Sequence, residues 1–502
     1  MQTFPENVKP GNKATLASLV YGNRFHADQT LVEYLIEFLL IFCAEKDNEG
    51  NGKLAFHDPN SREELSYTVE PRMGLKRFIF FDKSKRNDSA TVDRMAYQEL
   101  LTALSSKIDD ADSAEKAEFL EALQDLFHGY AVVLRKRTWC AQAMLPVCPE
   151  VIFCEAMPKK KERAALNWDE IRNNPEQKQK IDTEFDFDKR NFLARGGELY
   201  YLHILLGLQG QDAKRTELER LLNYLLTEQG KKMSSIAAFI QNTWEETMGY
   251  DESPKQQLRL AYIPEQAYRG VASDSVDELI SFLSCNMHPI KKLELLAKGI
   301  MLQVMRMLAV ATTTYISAPR ECWIIDMKGL TEDIIKKIAA TSFRNVENTF
   351  ATTLGQQSIQ MERNDIERRM REVRKARKDS LEIFRAKGKE LQCIIPTSGP
   401  YERFSLSEDC IRFLVLAIIR PGNKMTIDMF LSKLYDNYGI VIGPTEYKQF
   451  AAKYDDSLAN SFSENKSAFQ DFLKATGFLH ELSDATSVVI NPYDEIEEDE
   501  EL

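Results

Sequence analysis

The sequence predicts a mainly α-helical, multi-domain protein that ends in a winged helix-turn-helix-like α+β module. Three observations carry this. Glycine and proline are scarce, 22 and 17 among 502 residues, so the chain holds few of the residues that break helices. Apolar side chains recur at spacings of three and four over long stretches, the period of a helix with one buried face. Beyond residue 400 that period gives way, near the end, to two short extended runs about a tight loop.

Composition narrows the classes of function before any motif is read. Lys and Arg number 65 and Asp and Glu 77, a net charge of −12. A surface of that sign does not coat nucleic acid or an anionic membrane wholesale, since both demand cations. Any such contact must be local. The 43% apolar and 10% aromatic fractions are those of a folded chain with real cores. Eight scattered cysteines make no disulfide framework, so a reducing, cytoplasmic setting is expected. Cys140, Cys148 and Cys154 miss zinc spacing and read as small buried hydrophobes. No secretory pattern occupies residues 1–15. The apolar runs at 31–43 and 293–316 are interrupted by Glu33 and Glu37 and by Glu294, Lys298, Gln303 and Arg306, so no membrane span is expected.

In chain order, residues 1–145 are expected as an N-terminal helical domain. Leu31, Tyr34, Leu35, Phe38, Leu39 and Phe42 mark a core helix that starts near Asp28 or Thr30. The segment 54–81, with Asp58, Pro59, Pro71 and a short apolar run from Phe78 to Phe81, reads as loop with a small hairpin. Helices resume over 92–104 and 114–127. Residues 146–190 turn polar around Pro158 and Pro175, which predicts a surface connection. Residues 191–358 form a central helical domain with helices over 199–208, 218–226, 236–244, 275–283 and 290–314. Asp274 or Ser275 is placed to cap the fourth, and Pro289 suits the first turn of the fifth. Residues 359–395 read as one long basic helix whose near-heptad seam (Ile366, Met370, Val373, Arg377, Ser380, Phe384, Leu391) has two polar positions. A helix of that kind docks on its own protein or on a partner. The linker is 396–400.

Residues 401–493 carry the winged module. Ser405 and Glu408 have capping-box spacing ahead of Cys410, Phe413 and Leu414, and Thr426 caps a second helix through Ile427, Phe430 and Leu434. Gly439 and Gly443 bracket a short strand, Pro444 opens a third helix, and Ser461 or Ser463 starts a fourth that Gly477 ends. Runs at 478–482 and 487–490 make a hairpin. The candidate recognition helix balances Glu464 and Asp471 against Lys466 and Lys474, the wing adds Glu481 and Asp484, and 494–502 is an acidic tail. Phosphate contact needs cations there, so protein docking or a rigid end cap outranks DNA reading for this module.

The basic surface lies instead on the 361–392 segment, with eleven bases against seven acids. Arg368, Arg369, Arg371, Arg374, Lys375, Arg377 and Lys378 are its candidate contacts, either to DNA phosphates, which arginine grips bidentately, or to an acidic protein. A merely solvated charged helix is the bland alternative. A shorter basic run spans 159–163. Arg195, Gly196, Gly197 and Glu198 open an apolar helix with two glycines, and its free amides suit an anion or a partner carboxylate. The alternative there is a helix start with Arg195 in an internal ion pair. No P-loop is present, since Gly230 and Lys231 have Leu225 where the first glycine belongs. Two nuclease-like tripeptides, at 176–178 and 464–466, stand in polar or helical settings. Six dispersed histidines form no metalloprotease or triad pattern, and His203, between Leu202 and Ile204, reads as a core residue. No catalytic residue, metal or cofactor is assigned.

Three stretches, FLARGGELYY at 192–201, FLVL at 413–416 and YGIVIGP at 438–444, resemble large helical accessory proteins of bacterial DNA-modification and phage-defence islands. The nearest such family is the non-motor accessory subunit of phosphorothioation-dependent restriction systems. The resemblance implies a cytoplasmic subunit that works beside an ATPase or nuclease on DNA, and it transfers no catalytic residue. A non-catalytic assembly subunit is therefore the leading expectation. A DNA-binding regulator acting through the winged helix is the alternative, and a divergent metal-dependent nuclease is a third.

Overall fold

The computed structural model describes residues 28–46, 53–81, 91–109, 111–132, 143–156, 168–174, 195–329, 334–361, 365–451, 458–483 and 486–496, with short pieces of the first 26 residues and of 178–183. The basic run at 159–163, Cys140, Glu176, Asp484 and residues 497–502 lie outside the described residues. The described chain is mostly helical with few short strands.

Helix α1 (Leu16–Tyr21) precedes α2 (Leu31–Cys43), which begins where Thr30 predicts. The Thr30 hydroxyl oxygen accepts from the Glu33 amide, and the Glu33 carboxylate accepts from the Thr30 amide at 2.8 Å. Lys46 closes the other end: its buried ammonium donates to the carbonyls of Ile41, Phe42 and Ala44, each at 2.7 Å. Strands β1 (Glu45–Lys46), β2 (Ser66–Val69) and β3 (Gln256–Arg259) form an antiparallel sheet with β2 in the middle. The loop expected over 54–81 is corrected further by α3 (Met73–Phe80), which is buried along its whole length. Lys76 and Arg77 interrupt its apolar residues and read as surface in the sequence, yet both are buried against Glu155, Asp93 and Asp182, acids that only the fold brings near.

The central layer comprises α4 (Gly196–Gly207), α6 (Glu265–Leu283) and α7 (Pro289–Tyr315), whereas α5 (Lys231–Met248) packs on α3. Helix α4 packs against both α2 and α6, and α7 packs on the same pair. Helix α6 starts well before the expected cap, so Ser275 is a buried residue of its interior. Tyr268, Val271 and Ala272 extend the buried face toward the N-terminus and carry the helix with it. Pro289 takes the first turn of α7. Among the described residues α7 is long and apolar enough to cross a membrane, but neighbouring helices bury most of its length.

In the C-terminal half, β4 (Trp323–Ile324) leads to α8 (Ile334–Met361). The basic segment beyond it is not one long helix but two, α9 (Ile366–Lys378) and α10 (Leu381–Glu390). The Asp365 carboxylate starts α9 by accepting from the Arg368 amide at 2.8 Å, and Ser380, at φ −140° and ψ −79°, leaves the helical region between the two. The near-heptad seam is thereby split. Phe384 and Leu391 are buried in the core, whereas Ile366 and Met370 face outward.

Helix α11 (Glu408–Ile418) is capped by Ser407 instead of Ser405, whose amide is committed to the Cys393 carbonyl at 2.9 Å. It packs on α6 and α7, where Gly299 leaves room for the Phe413 ring. Then follow β5 (Lys424–Thr426), α12 (Ile427–Tyr438) capped by Thr426, β6 (Ile440–Val441), a helix at Pro444–Phe450, α13 (Ala459–Ala475) and the hairpin β7 (Leu479–Ser483) with β8 (Thr486–Ile490). The sheet order is β5-β8-β7, antiparallel throughout, while β6 pairs in parallel with β4. Buried side chains from Phe4 to Ile496 join one apolar core, which runs across the boundaries expected at 145, 190, 358 and 400.

Candidate functional site

Arg195 has φ +74°, a left-handed conformation uncommon for a side chain that is not glycine. It turns the chain into α4 and exposes that helix's first amides. Those amides are already occupied. Glu37, on α2, accepts the Arg195 amide on Oε1 at 2.9 Å and the Gly197 amide on Oε2 at 2.7 Å. Gln29 Nε2 also donates to Glu37 Oε2 at 2.9 Å, and Gln29 Oε1 accepts from the Gly196 amide at 3.1 Å. The Arg195 guanidinium holds Glu198 at 2.8 Å, and Glu198 accepts from the Ala261 amide at 2.6 Å. The acceptor at this helix N-terminus is the chain's own Glu37 carboxyl group. Arg195, Gly196, Gly197 and Glu198 therefore form an internal joint between α2 and α4.

Burial first, and then the neighbouring Glu198 carboxylate, push the Glu37 carboxyl up to about 7. The folded state thus holds this proton more tightly than the unfolded chain, in which the ordinary value is 4.5. The resulting stabilisation is complete below pH 4.5 and is lost as pH rises through about 7. Its expected size is on the order of 2–3 kcal/mol. Urea midpoints at about pH 5 and about pH 8 measure it: the wild type should lose stability across that interval relative to Glu37→Gln. Parallel losses in both chains would show that Glu37 does not titrate there.

His203 Nε2 lies 2.8 Å from Ser275 Oγ, which has the outline of a base beside a nucleophile. Both residues are buried, and burial, followed by Arg306, pushes the imidazole down to about 3. Ser275 Oγ accepts from Arg306 Nη2 at 2.7 Å and donates to the Val271 carbonyl at 3.1 Å. Arg306 also pairs with Glu278 at 2.9 Å and lies 4.2 Å from the Tyr438 ring centroid. This cluster is a packing hub that joins α4, α6, α7 and α12.

The basic residues of α9 lie elsewhere. That helix packs on α8 and α1, and Ala376 is its one fully buried residue. Arg368, Arg371, Arg374, Lys375, Arg377 and Lys378 are exposed, and Arg369 is half-buried. Among the described residues, Arg369, Arg371, Arg374, Lys375, Arg377 and Lys378 make no ion pair. The cations of α10 differ: Arg385 and Lys389 pair with Glu402, and Lys387 with Glu390 at 2.9 Å. In the 401–493 segment Lys466 pairs with Asp428, and Lys474 with Glu481 at 2.8 Å.

Beside the α9 cations runs an apolar groove that the sequence reading missed. Gly355 and Ile359 of α8 face Ile366, Met370 and Val373 of α9 across about 380 Å³, with Arg369 and Arg374 along its length. Ile359, Ile366 and Met370 are 51%, 63% and 55% exposed. The signal that pointed to it was Gly355, a glycine inside a 28-residue helix. A Cβ there would meet nothing within 4 Å, so internal packing does not require it. Among the described residues no group of three His, Cys, Asp or Glu is placed to hold a metal ion. No family model matches this chain, and neither does a curated protein or a solved structure.

Proposed function

We propose that this chain is a non-catalytic assembly subunit of a bacterial DNA-targeting defence complex, the cytoplasmic partner of an ATPase or nuclease. One observation carries the reading. On a chain of net charge −12, seven cations gather on one 13-residue helix beside exposed Ile366 and Met370, and six of them make no ion pair among the described residues. A charged, partly apolar surface left open in this way is suited to contact with a second macromolecule. Co-expression with a candidate motor or nuclease subunit is the test. The wild type should co-elute with that subunit, and reversing Arg369, Arg371 and Arg374 to Glu should weaken retention by about tenfold or more. A wild-type chain that elutes alone at every salt concentration counts against the proposal.

A second reading, a DNA-binding regulator, is supported by the element order α11, β5, α12, α13, β7, β8 and by the sheet order β5-β8-β7, both suited to a winged helix over 401–493. The engagement of Lys466 and Lys474 by acids weighs against phosphate contact there. Salt titration of duplex binding separates the two surfaces. Charge reversal on α9 should flatten the slope if α9 meets DNA, whereas Lys466→Ala with Lys474→Ala should do so if the C-terminal module does.

A further inference from the structure

The groove between α8 and α9 has features that phosphate binding does not use. A duplex backbone is held by cations and polar donors, with water between, and it leaves apolar side chains without a partner. Here Ile359, Ile366 and Met370 stand exposed next to the arginines. Methionine and arginine on an apolar patch are the composition of a protein-binding surface, and a methionine side chain adapts its shape to what it meets. Helix α9 has 13 residues, about 20 Å at 1.5 Å per residue, which matches a partner helix of three to four turns.

Gly355 is the independent observation. Inside a helix a glycine costs roughly 1 kcal/mol against alanine, and no neighbour within 4 Å compensates. It lines the groove, where the missing side chain lets a second backbone come close. Arg369, Arg374 and Arg377 line the groove, make its rim cationic and select an acidic occupant.

We infer that the groove between α8 and α9 seats an acidic amphipathic helix of a partner protein. The apolar stripe of that helix lies on Gly355, Ile359, Ile366 and Met370, and its carboxylates meet Arg369 and Arg374. The inference deepens the assembly reading by naming the chemistry of the partner.

Fluorescence anisotropy on the full chain tests it. The probe is a labelled peptide of about 18 residues, with leucine at helical spacing and glutamate elsewhere; its control is a scramble of the same composition. The patterned peptide should bind at least about tenfold more tightly than the scramble. Gly355→Trp, which fills the groove from an open position, should weaken binding about tenfold or more while leaving the thermal midpoint in place. Arg369→Glu with Arg374→Glu should weaken it similarly and reduce its dependence on salt.

Equal binding of patterned and scrambled peptides would overturn the inference, as would a Gly355→Trp chain that binds like wild type. Displacement of the peptide by a duplex of about 20 base pairs that itself ignores Gly355→Trp would assign the surface to nucleic acid instead. Self-association abolished by Gly355→Trp would assign it to a second copy. A Gly355→Trp chain that still co-elutes with the motor or nuclease subunit overturns the groove and leaves the assembly role standing. Specific peptide binding by a chain that joins neither subunit supports the groove and removes the assembly role.

Discussion

Glu278→Ala should lower the stability of this protein by about 3–5 kcal/mol, because it strands a buried guanidinium. Arg306 is fully buried on α7, and Glu278 of α6 accepts from its Nη1 at 2.9 Å and from its Nη2 at 3.0 Å. The same carboxylate accepts from Gln303 Nε2 at 2.8 Å, Asn437 Nδ2 at 2.9 Å and the Tyr438 hydroxyl at 2.7 Å. Its removal leaves the Arg306 charge without its counter-ion, with Ser275 Oγ still accepting from Nη2, and leaves the Gln303, Asn437 and Tyr438 donors without this acceptor inside the protein. A double variant, Glu278→Leu with Arg306→Met, deletes the charge together with its counter-ion and should recover the part of the loss that the unpaired charge causes, while Gln303, Asn437 and Tyr438 still lack their acceptor. Urea midpoints of the single and double variants decide the matter. Equal losses would mean that packing, rather than the unpaired charge, sets the penalty. Asn437 and Tyr438 belong to α12, so amide exchange over 427–438 should also accelerate in the single variant ahead of α4 and α7.

Gly197→Ala and Gly355→Ala, the same change in two helices, should have opposite signs. At Gly197 a Cβ would overlap the Tyr34 carbonyl oxygen and lie 2.7 Å from Glu37 Cβ and 2.9 Å from the Phe38 amide nitrogen. Those are largely backbone atoms of α2, which move only if the whole helix moves. The amide of Gly197 would leave Glu37 with it. The expected loss is about 1–3 kcal/mol. At Gly355 the added methyl enters open space and removes a helix-breaking residue, so stability should rise by roughly 0.5–1 kcal/mol. Thermal midpoints of the two variants measure both. A stable Gly197→Ala chain would mean that α2 and α4 are not held as closely as their contacts indicate.

Helix identity was widely legible in the sequence, and helix boundaries were not. Thr30, Thr426 and Pro289 start their helices as their chemistry predicts, because a cap acts on amides two or three residues away and needs no tertiary partner. Ser405 fails as a cap for a tertiary reason, a backbone hydrogen bond to Cys393. The break between α9 and α10 is set by what each side of it touches: Phe384 meets Trp323 and Phe350, while Ile366 and Met370 meet nothing that buries them. A heptad pattern cannot distinguish a seam that folds inward from one left open.

The candidate contacts divide in the same way. Both sets of residues carried a visible chemical signal, seven cations on α9 and two glycines after Arg195. What separates them is an acid far away in the chain. Glu37, 158 residues from Arg195, fills the α4 N-terminus, whereas no described acid pairs with Arg369, Arg371 or Arg374.

The sequence by itself determined a mostly helical chain, the caps that start several helices and the sign and place of its charge, since these depend on residues within a turn or two of one another. Only the tertiary structure decided which polar groups are spent inside the protein and which are left facing outward. Hydrogen bonds and ion pairs between residues more than a hundred positions apart form only once the core has closed.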